Sequence, residues 1–316
     1  MPVVGKLTED VAPARQVIRR YEDARARLGN ENHGFLSERY GFMPVQEPLQ
    51  NLPDDFAEWD HVTARLPELH GSARLRRELD GLPVLDAGRD RLPDSFLLRA
   101  ALVLSHAAHW TRRSDGAEPG RPLPASLERP WTQVRQRLAR EAPAVSLLDV
   151  LYNWQVVDPD QRRRGVDNLR LLVPAVYPGE EQLTAVRVVT ESTPAVAAMV
   201  RAHEAVLADD TAALEFELMV VLDGLRRVRG PRGAANQLRR ALPGTPMSTA
   251  LAVFLGRGLH RLDDGGQPGA WRDFFHALGA ISVPAYAANR GNRGLTALLG
   301  EVTEVFAAGR PPRRAW

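Results

Sequence analysis

Apolar side chains recur along most of this chain at the spacing of a helix rather than a strand, and that period limits what it can fold into. In Ala270-Trp-Arg-Asp-Phe-Phe-His-Ala-Leu-Gly-Ala-Ile-Ser282, Trp271, Phe274, Phe275 and Leu278 fall on one stripe at about 100° per residue. The same period runs through residues 9–29 (Val11, Ala14, Val17, Ile18, Tyr21, Ala24, Leu28). It returns in the segment holding Phe56, Trp59, Val62 and Leu66, which opens at Asp54 or Asp55 as a cap. A further helix runs from Leu92 to Trp110, and others are expected at 126–140, 144–156, 180–207, 211–229, 232–242, 247–262, 268–282 and 293–308. Strand-like alternation is confined to Val186-Arg-Val-Val-Thr190, inside a longer helical pattern. The expected fold is all-α.

Residues 111–125 combine glycine, proline and charge without periodicity, which marks a boundary. Two domains are expected, a small N-terminal helical domain over 1–115 and a larger helical one over 116–316. With 44% hydrophobic and 25% charged residues among 316, the chain can bury a sizeable core. Its formal charge of +2 gives no general attraction to nucleic acid or to an acidic membrane, so neither is an expected partner. The absence of cysteine excludes disulfides, thiolate-bound zinc, iron–sulfur clusters and thioether-attached haem. The opening residues lack a secretory apolar region and no 18-residue apolar run follows, so a cytoplasmic location is expected.

Histidine supplies most of the candidate chemistry. His276 points away from the aromatic stripe and has Arg272, Gly279 and Ala280 as helical neighbours. A histidine beside small residues lets a flat, wide ligand approach the backbone; it is equally an ordinary core-edge side chain. His106 and His109 form an i, i+3 pair, and Glu58 and His61 have Glu-x-x-His spacing. Either pair needs further ligands to hold a metal, and no second Glu-x-x-His motif is convincing. Arg162–Arg164 reads as a solvated turn and the tail Arg310–Trp316 as a frayed end. Gly256-Arg-Gly258 and Gly291-Asn-Arg-Gly294 follow no strand, so neither is a nucleotide-binding fingerprint.

An ordered series of short phrases adds what spacing alone does not. Gly34-Phe35 and Gly41-Phe-Met-Pro44 are followed by Pro48-Leu-Gln-Asn-Leu-Pro53, Trp59, Leu66-Pro-Glu-Leu69 and Leu82-Pro-Val-Leu-Asp86. Then come Leu104-Ser105 with Ala108-His109, Leu123-Pro-Ala-Ser-Leu127, Pro130-Trp131, Asp149-Val-Leu-Tyr-Asn-Trp154 and Asn168-Leu169. In this order the phrases resemble indoleamine 2,3-dioxygenase and its bacterial relatives. The match is densest over 33–170 and carries gaps beyond.

The resemblance implies a two-domain helical protein in which the small domain caps a domain bearing haem b, its iron held by one histidine on a helix near the C-terminus. His276 best fits that ligand, lying before Gly294-Leu-Thr-Ala-Leu-Leu-Gly-Glu-Val302, which looks like the family's closing helix; His260 and His203 are alternatives. Gly230–Gly244 resembles the segment whose arginine holds the substrate carboxylate, and Arg239 falls on that arginine. A guanidinium suits the task because it offers a carboxylate two parallel charge-assisted bonds. Gly279 would lie beside the haem, and Thr245-Pro-Met-Ser248-Thr249 would stand in for the family's glycine–serine loop, which is otherwise missing.

The departures gather on the distal side. Ala234 and Ala235 stand where the family has two phenylalanines of the indole pocket, while Ser146, Asp149, Leu183 and Arg187 correspond to its other distal residues. An unpartnered buried Asp or Arg costs several kcal/mol, so an Asp149–Arg187 pair is expected, or else an altered substrate. The expected function is a haem-dependent oxygenase using dioxygen on a free aromatic amino acid or indole derivative, with Arg239, Ser146, Asp149 and Arg187 about the substrate. Mono-oxygenation of tyrosine type, a ring rearrangement, or haem binding without catalysis are the alternatives.

Overall fold

In the computed structural model, residues 13–28, 36–44, 47–69, 73–114, 121–139, 145–158, 168–174, 179–229, 245–257 and 267–308 are described. Contacts group the chain into two compact units, one of Met1–Ala24, Gly34–Met43 and Thr184–Trp316, the other of Arg25–His33 and Pro44–Leu183. The division does not fall at 115. Helix α5 (Leu97–Ser114) packs along α6 (Ala125–Leu138), so the glycine–proline stretch between them joins neighbours within one unit.

The unit spanning 44–183 is built on α5, with α2 (Ala57–Ala64), α3 (Leu66–Leu69), α4 (Ala73–Gly81), α6 and α7 (Val145–Leu151) around it. Every residue of α5 from Leu97 to Ala108 is buried, which explains its apolar character all round. Three positions there are not apolar: Arg99, Ser105 and His106. Arg99 Nη2 donates to Asp60 Oδ1 at 2.6 Å, while Asp60 Oδ2 accepts the Leu52 amide at 2.6 Å. Asp54 and Asp55 make no capping bond; they open a 3-10 turn, Asp54–Phe56, that runs into α2.

Downstream of α7 a two-residue antiparallel ribbon, β1 (Gln155–Val156) with β2 (Leu169–Arg170), replaces the end of the helix expected at 144–156. Asn153 ends that helix by acting as a piece of backbone. Its Oδ1 accepts the Val173 amide at 2.8 Å and its Nδ2 donates to the Val173 carbonyl at 3.0 Å. Asn168 does the same for Asp158, at 2.8 and 2.6 Å.

The other unit contains most of α1 (Ala14–Leu28) and of α8 (Gly179–Glu191), with α9 (Thr193–Leu207), α10 (Thr211–Arg229), α11 (Pro246–Phe254), α12 (Gly269–Gly279), α13 (Val283–Arg290) and α14 (Arg293–Ala308). The expected helix over 180–207 is two, broken at Ser192 before Thr193-Pro194. Val186–Thr190 is helical, and the helix expected at 232–242 lies outside the described residues. Gly291, at φ +61°, ends α13 in the left-handed region that a Cβ disfavours.

Phe42 locks this unit together. A Ser37–Gly41 bridge turns the chain at Gly41, whose φ is +58° and whose Cβ, were there one, would sit 3.1 Å from Thr193 Oγ1. Phe42 thereby enters the core, its ring centroid 5.5 Å from that of Trp271, 5.9 Å from Phe274 and 5.8 Å from Phe275. Arg15 on α1 adds a two-point bond to Glu204, at 2.5 and 2.8 Å, and reaches Glu38 at 2.9 Å. Replacing Phe42 by Ala removes the ring that three aromatics share. It should cost about 3–5 kcal/mol of unfolding free energy in urea titration.

Candidate functional site

Helix α12 starts after Pro268, and its inner face is the stripe read from the sequence. Trp271, Phe274, Phe275 and Leu278 are all fully buried. Tyr21 of α1 donates to Asp273 Oδ2 at 2.7 Å, which sets the rotation of the helix. His276 is exposed on the opposite side in the last turn, and Gly279 is half-buried beside it. No described residue hydrogen-bonds or ion-pairs with the His276 ring.

His203 on α9 is the opposite case. It is 2% exposed, its ring stacks on Phe254 at 5.6 Å and 19°, and neither ring nitrogen has a partner. Burial alone pushes its pKa down to about 4, so the ring is held neutral. Its lone pair is chemically fit to bind iron, but the ring is enclosed by packed apolar side chains. A macrocycle could reach it only by unpacking them. His276 needs no such rearrangement, and its unpartnered imidazole beside a glycine fits the donor that a haem requires. His260 lies outside the described residues.

Thr245 and Ser248 come together as the start of α11. Thr245 Oγ1 accepts the Ser248 amide at 3.3 Å, and Ser248 Oγ donates to the Thr245 carbonyl at 2.9 Å. They form the cap of the helix. Arg239, with Ala234 and Ala235, lies outside the described residues.

In the unit spanning 44–183, Ser146 belongs to α7, and the same helix carries Asp149, which is 3% exposed. Asp149 and Arg187, expected as a pair, each have a partner nearby in their own unit. Arg187 bonds Glu191 one turn along α8 at 2.7 Å, and Asp149 Oδ1 lies 2.6 Å from His106 Nε2. His106 is fully buried, and its Nδ1 is 2.8 Å from the Leu102 carbonyl. The i, i+3 histidine pair is thus divided, one ring turned to a carboxylate and the other half-buried. Burial first, and then Arg113 and His106, make His109 harder to protonate. Glu58 and His61 are both exposed, and among the described residues no three potential metal ligands gather.

Two further polar groups escaped sequence reasoning. Gln182 is 7% exposed with neither amide atom partnered, next to half-buried Leu183. Burial raises the Tyr152 hydroxyl well above the ordinary phenol range. An i+4 step links Asp149 to Asn153, but nothing in the sequence marks His106 as its partner.

Comparison with known proteins gives one consistent result. The sequence model of the family described as indoleamine 2,3-dioxygenase matches residues 32–230, more than half of the chain. Human indoleamine 2,3-dioxygenase 2 is 29% identical over 203 residues, covering 61% of this chain and 46% of the relative. Rat indoleamine 2,3-dioxygenase 1 is 30% identical over 213 residues, covering 64% and 50%. An indoleamine 2,3-dioxygenase of Aspergillus nanangensis is 36% identical over 126 residues, covering 38% and 29%. The chain spans half or less of the length of these curated relatives. Among the described residues no helix is long and apolar enough to cross a membrane.

The enclosed His203 carries a pH signature. Its folded pKa of about 4 lies below the unfolded value, so between pH 6.5 and 4 the unfolded chain binds the extra proton. Stability therefore falls as the pH is lowered through that window, by roughly 3 kcal/mol in all, and does not change above it on this account. Denaturation curves of His203→Leu should lack this fall.

Proposed function

The chain belongs to the indoleamine 2,3-dioxygenase family, and we propose that it is a haem-dependent oxygenase acting on a free aromatic amino acid or indole derivative. The observation that carries the reading is the histidine on α12, His276, which stands open and unpartnered opposite a stripe of buried aromatics. Bound there, haem b would supply the oxygen chemistry that no side chain can. His276 would hold its iron, and Gly279 would leave space along the helix for the macrocycle. The cap formed by Thr245 and Ser248 would contribute the end of α11 to the haem's surroundings.

The remaining work assigned to the chain is positioning. Arg239 would grip the substrate carboxylate through a two-point charge-assisted bond, fixing the ring relative to the oxidant. Ser146 would add a hydroxyl to the wall that carries Asp149. Arg187, already paired to Glu191, would act as a neutralised polar edge and not as a free cation. The alanines at 234 and 235 leave more room than phenylalanines would, which favours a substituted indole or a related amino acid alongside tryptophan.

Product mass is the direct test. Reduced protein supplied with haem, dioxygen and a panel of aromatic amino acids should yield a product heavier by two oxygens. A gain of one oxygen assigns mono-oxygenation instead, and a protein that shows no Soret band after haem supplementation refutes the haem reading. His276→Ala should abolish stable iron ligation, seen as loss of the Soret shift on reduction. An unchanged spectrum in that variant moves the ligand to His203 or His260. For Arg239, an amino acid should bind more tightly than its decarboxylated amine by about 1.5–3 kcal/mol, with the difference vanishing in Arg239→Ala.

A further inference from the structure

Helix α10 buries one side and leaves apolar residues on the other. Leu214, Leu218, Val221, Leu225 and Val228 are buried and share one stripe at about 100° per residue. Helix α9 packs against α10, and a Cβ on Gly224 would lie 3.3 Å from the Cβ of Ala195. Helix α14 lies along a flank, where Arg226 bonds Glu301 at 2.8 Å. The side opposite the buried stripe holds Ala212, Phe216, Met219, Asp223 and Arg227, all exposed.

The first half of that outer face is apolar. Phe216 is 59% exposed and Met219, one turn on, is 49% exposed. Among the described residues the other large hydrophobic side chains left so open are Val84, Val157 and Leu207, the last at the end of α9 just before α10. A solvated helix face gains nothing from a phenylalanine beside a methionine, whereas a helix–helix contact does.

Charge along α10 indicates what fits there. The helix opens on exposed Asp209 and Asp210 and ends with exposed Arg226 and Arg227, so it runs from acid to base. Asp210 accepts the Ala213 amide at 2.9 Å, Asp209 accepts from Tyr286 at 2.7 Å and pairs with Arg290, and Arg227 is bonded to Asp223. These bonds are all exposed, and exposed ion pairs regroup at little cost. Such a face is complementary to itself turned end for end. With a two-fold axis between Phe216 and Met219, each Phe216 meets the other copy's Met219 in a sulfur–aromatic contact. The same axis brings Arg226 and Arg227 of each copy toward the turn of the other that carries Asp209 and Asp210.

We propose that the outer face of α10 is the docking surface for a second copy of this chain, packed antiparallel about that axis. The apolar half supplies the attraction and the charged ends set the direction. A stripe of about two turns is small beside the roughly 800 Å² per partner of a standard interface, so the dimer forms only at concentrations on the order of 10–100 µM. The proposal does not depend on the oxygenase reading.

Sedimentation velocity of the full chain over a concentration series tests it. The boundary should move from the monomer to the dimer value, and the double variant Phe216→Glu, Met219→Glu should raise the dissociation constant at least about 10-fold. Its far-UV circular dichroism should be unchanged, since both side chains already lie in water. A monomer at every concentration overturns the proposal, and slow peroxide oxidation of Met219 in that monomer assigns the face to another segment of this chain. A dimer that the double variant leaves intact also overturns it, because the contact then lies elsewhere. The chain has no cysteine, so introduced thiols report the direction. Met219→Cys, about 2 Å along the helix from the axis, should link to its own copy on mild oxidation, whereas Ala212→Cys, about 8 Å from it, should link only to Asp223→Cys in a mixture. Self-linkage of Ala212→Cys overturns the antiparallel pairing.

Discussion

Phe42 meets Trp271, Phe274 and Phe275 in the core of the unit that holds the C-terminal helices, and the arrangement of α12 depends on that contact. An aromatic cluster of this kind buries a large apolar area and constrains ring angles, so it fixes a helix in rotation as well as in position. Once the stripe faces inward, His276 must face outward, because the two lie on opposite sides of the same short helix. Gly41 makes the contact possible, since its φ of +58° is one that a Cβ disfavours and a Cβ there would also press on Thr193 at 3.1 Å. A phrase that looks like an unremarkable loop, Gly41-Phe-Met-Pro44, is therefore the wedge on which α12 rests.

The unit built on α5 obeys a second constraint, that polar groups taken out of water must be matched. Arg99 is matched by Asp60, Val173 by Asn153 and Asp158 by Asn168. Asn153 and Asn168 fall within the segments that carry the family resemblance, and Val173 and Asp158 pair with them. Asn153 and Asn168 are recognisable because each replaces backbone hydrogen bonds that no other residue type can reproduce so compactly. His106 and Asp149 follow the same rule with ionisable groups, Nε2 standing 2.6 Å from Oδ1. His203 and Gln182 break the rule, each being buried without a partner.

The family match over residues 32–230 takes in helix α5, both asparagine clamps and the His106–Asp149 contact. Membership of a family fixes a framework, and the chemistry of a particular member rests on the residues of its own site.

By itself the sequence determined the helical class, the extent of most helices, the inward stripe of α12 and the family, because each is written in local periodicity or in short runs of neighbouring residues. It also determined that His276 leaves that stripe. Only the tertiary structure decided that residues 44–183 form one unit, that Ser192 divides the long helix, and that Thr245 and Ser248 cap α11. The partners of the charged residues were decided there too. Arg187 found Glu191 one turn away, while Asp149 found His106 from a helix that precedes it by a whole linker and another helix. Periodicity says which way a side chain points from its own axis. It carries no information about which other axis will lie opposite, and a charge is matched by whatever group the packing brings within reach.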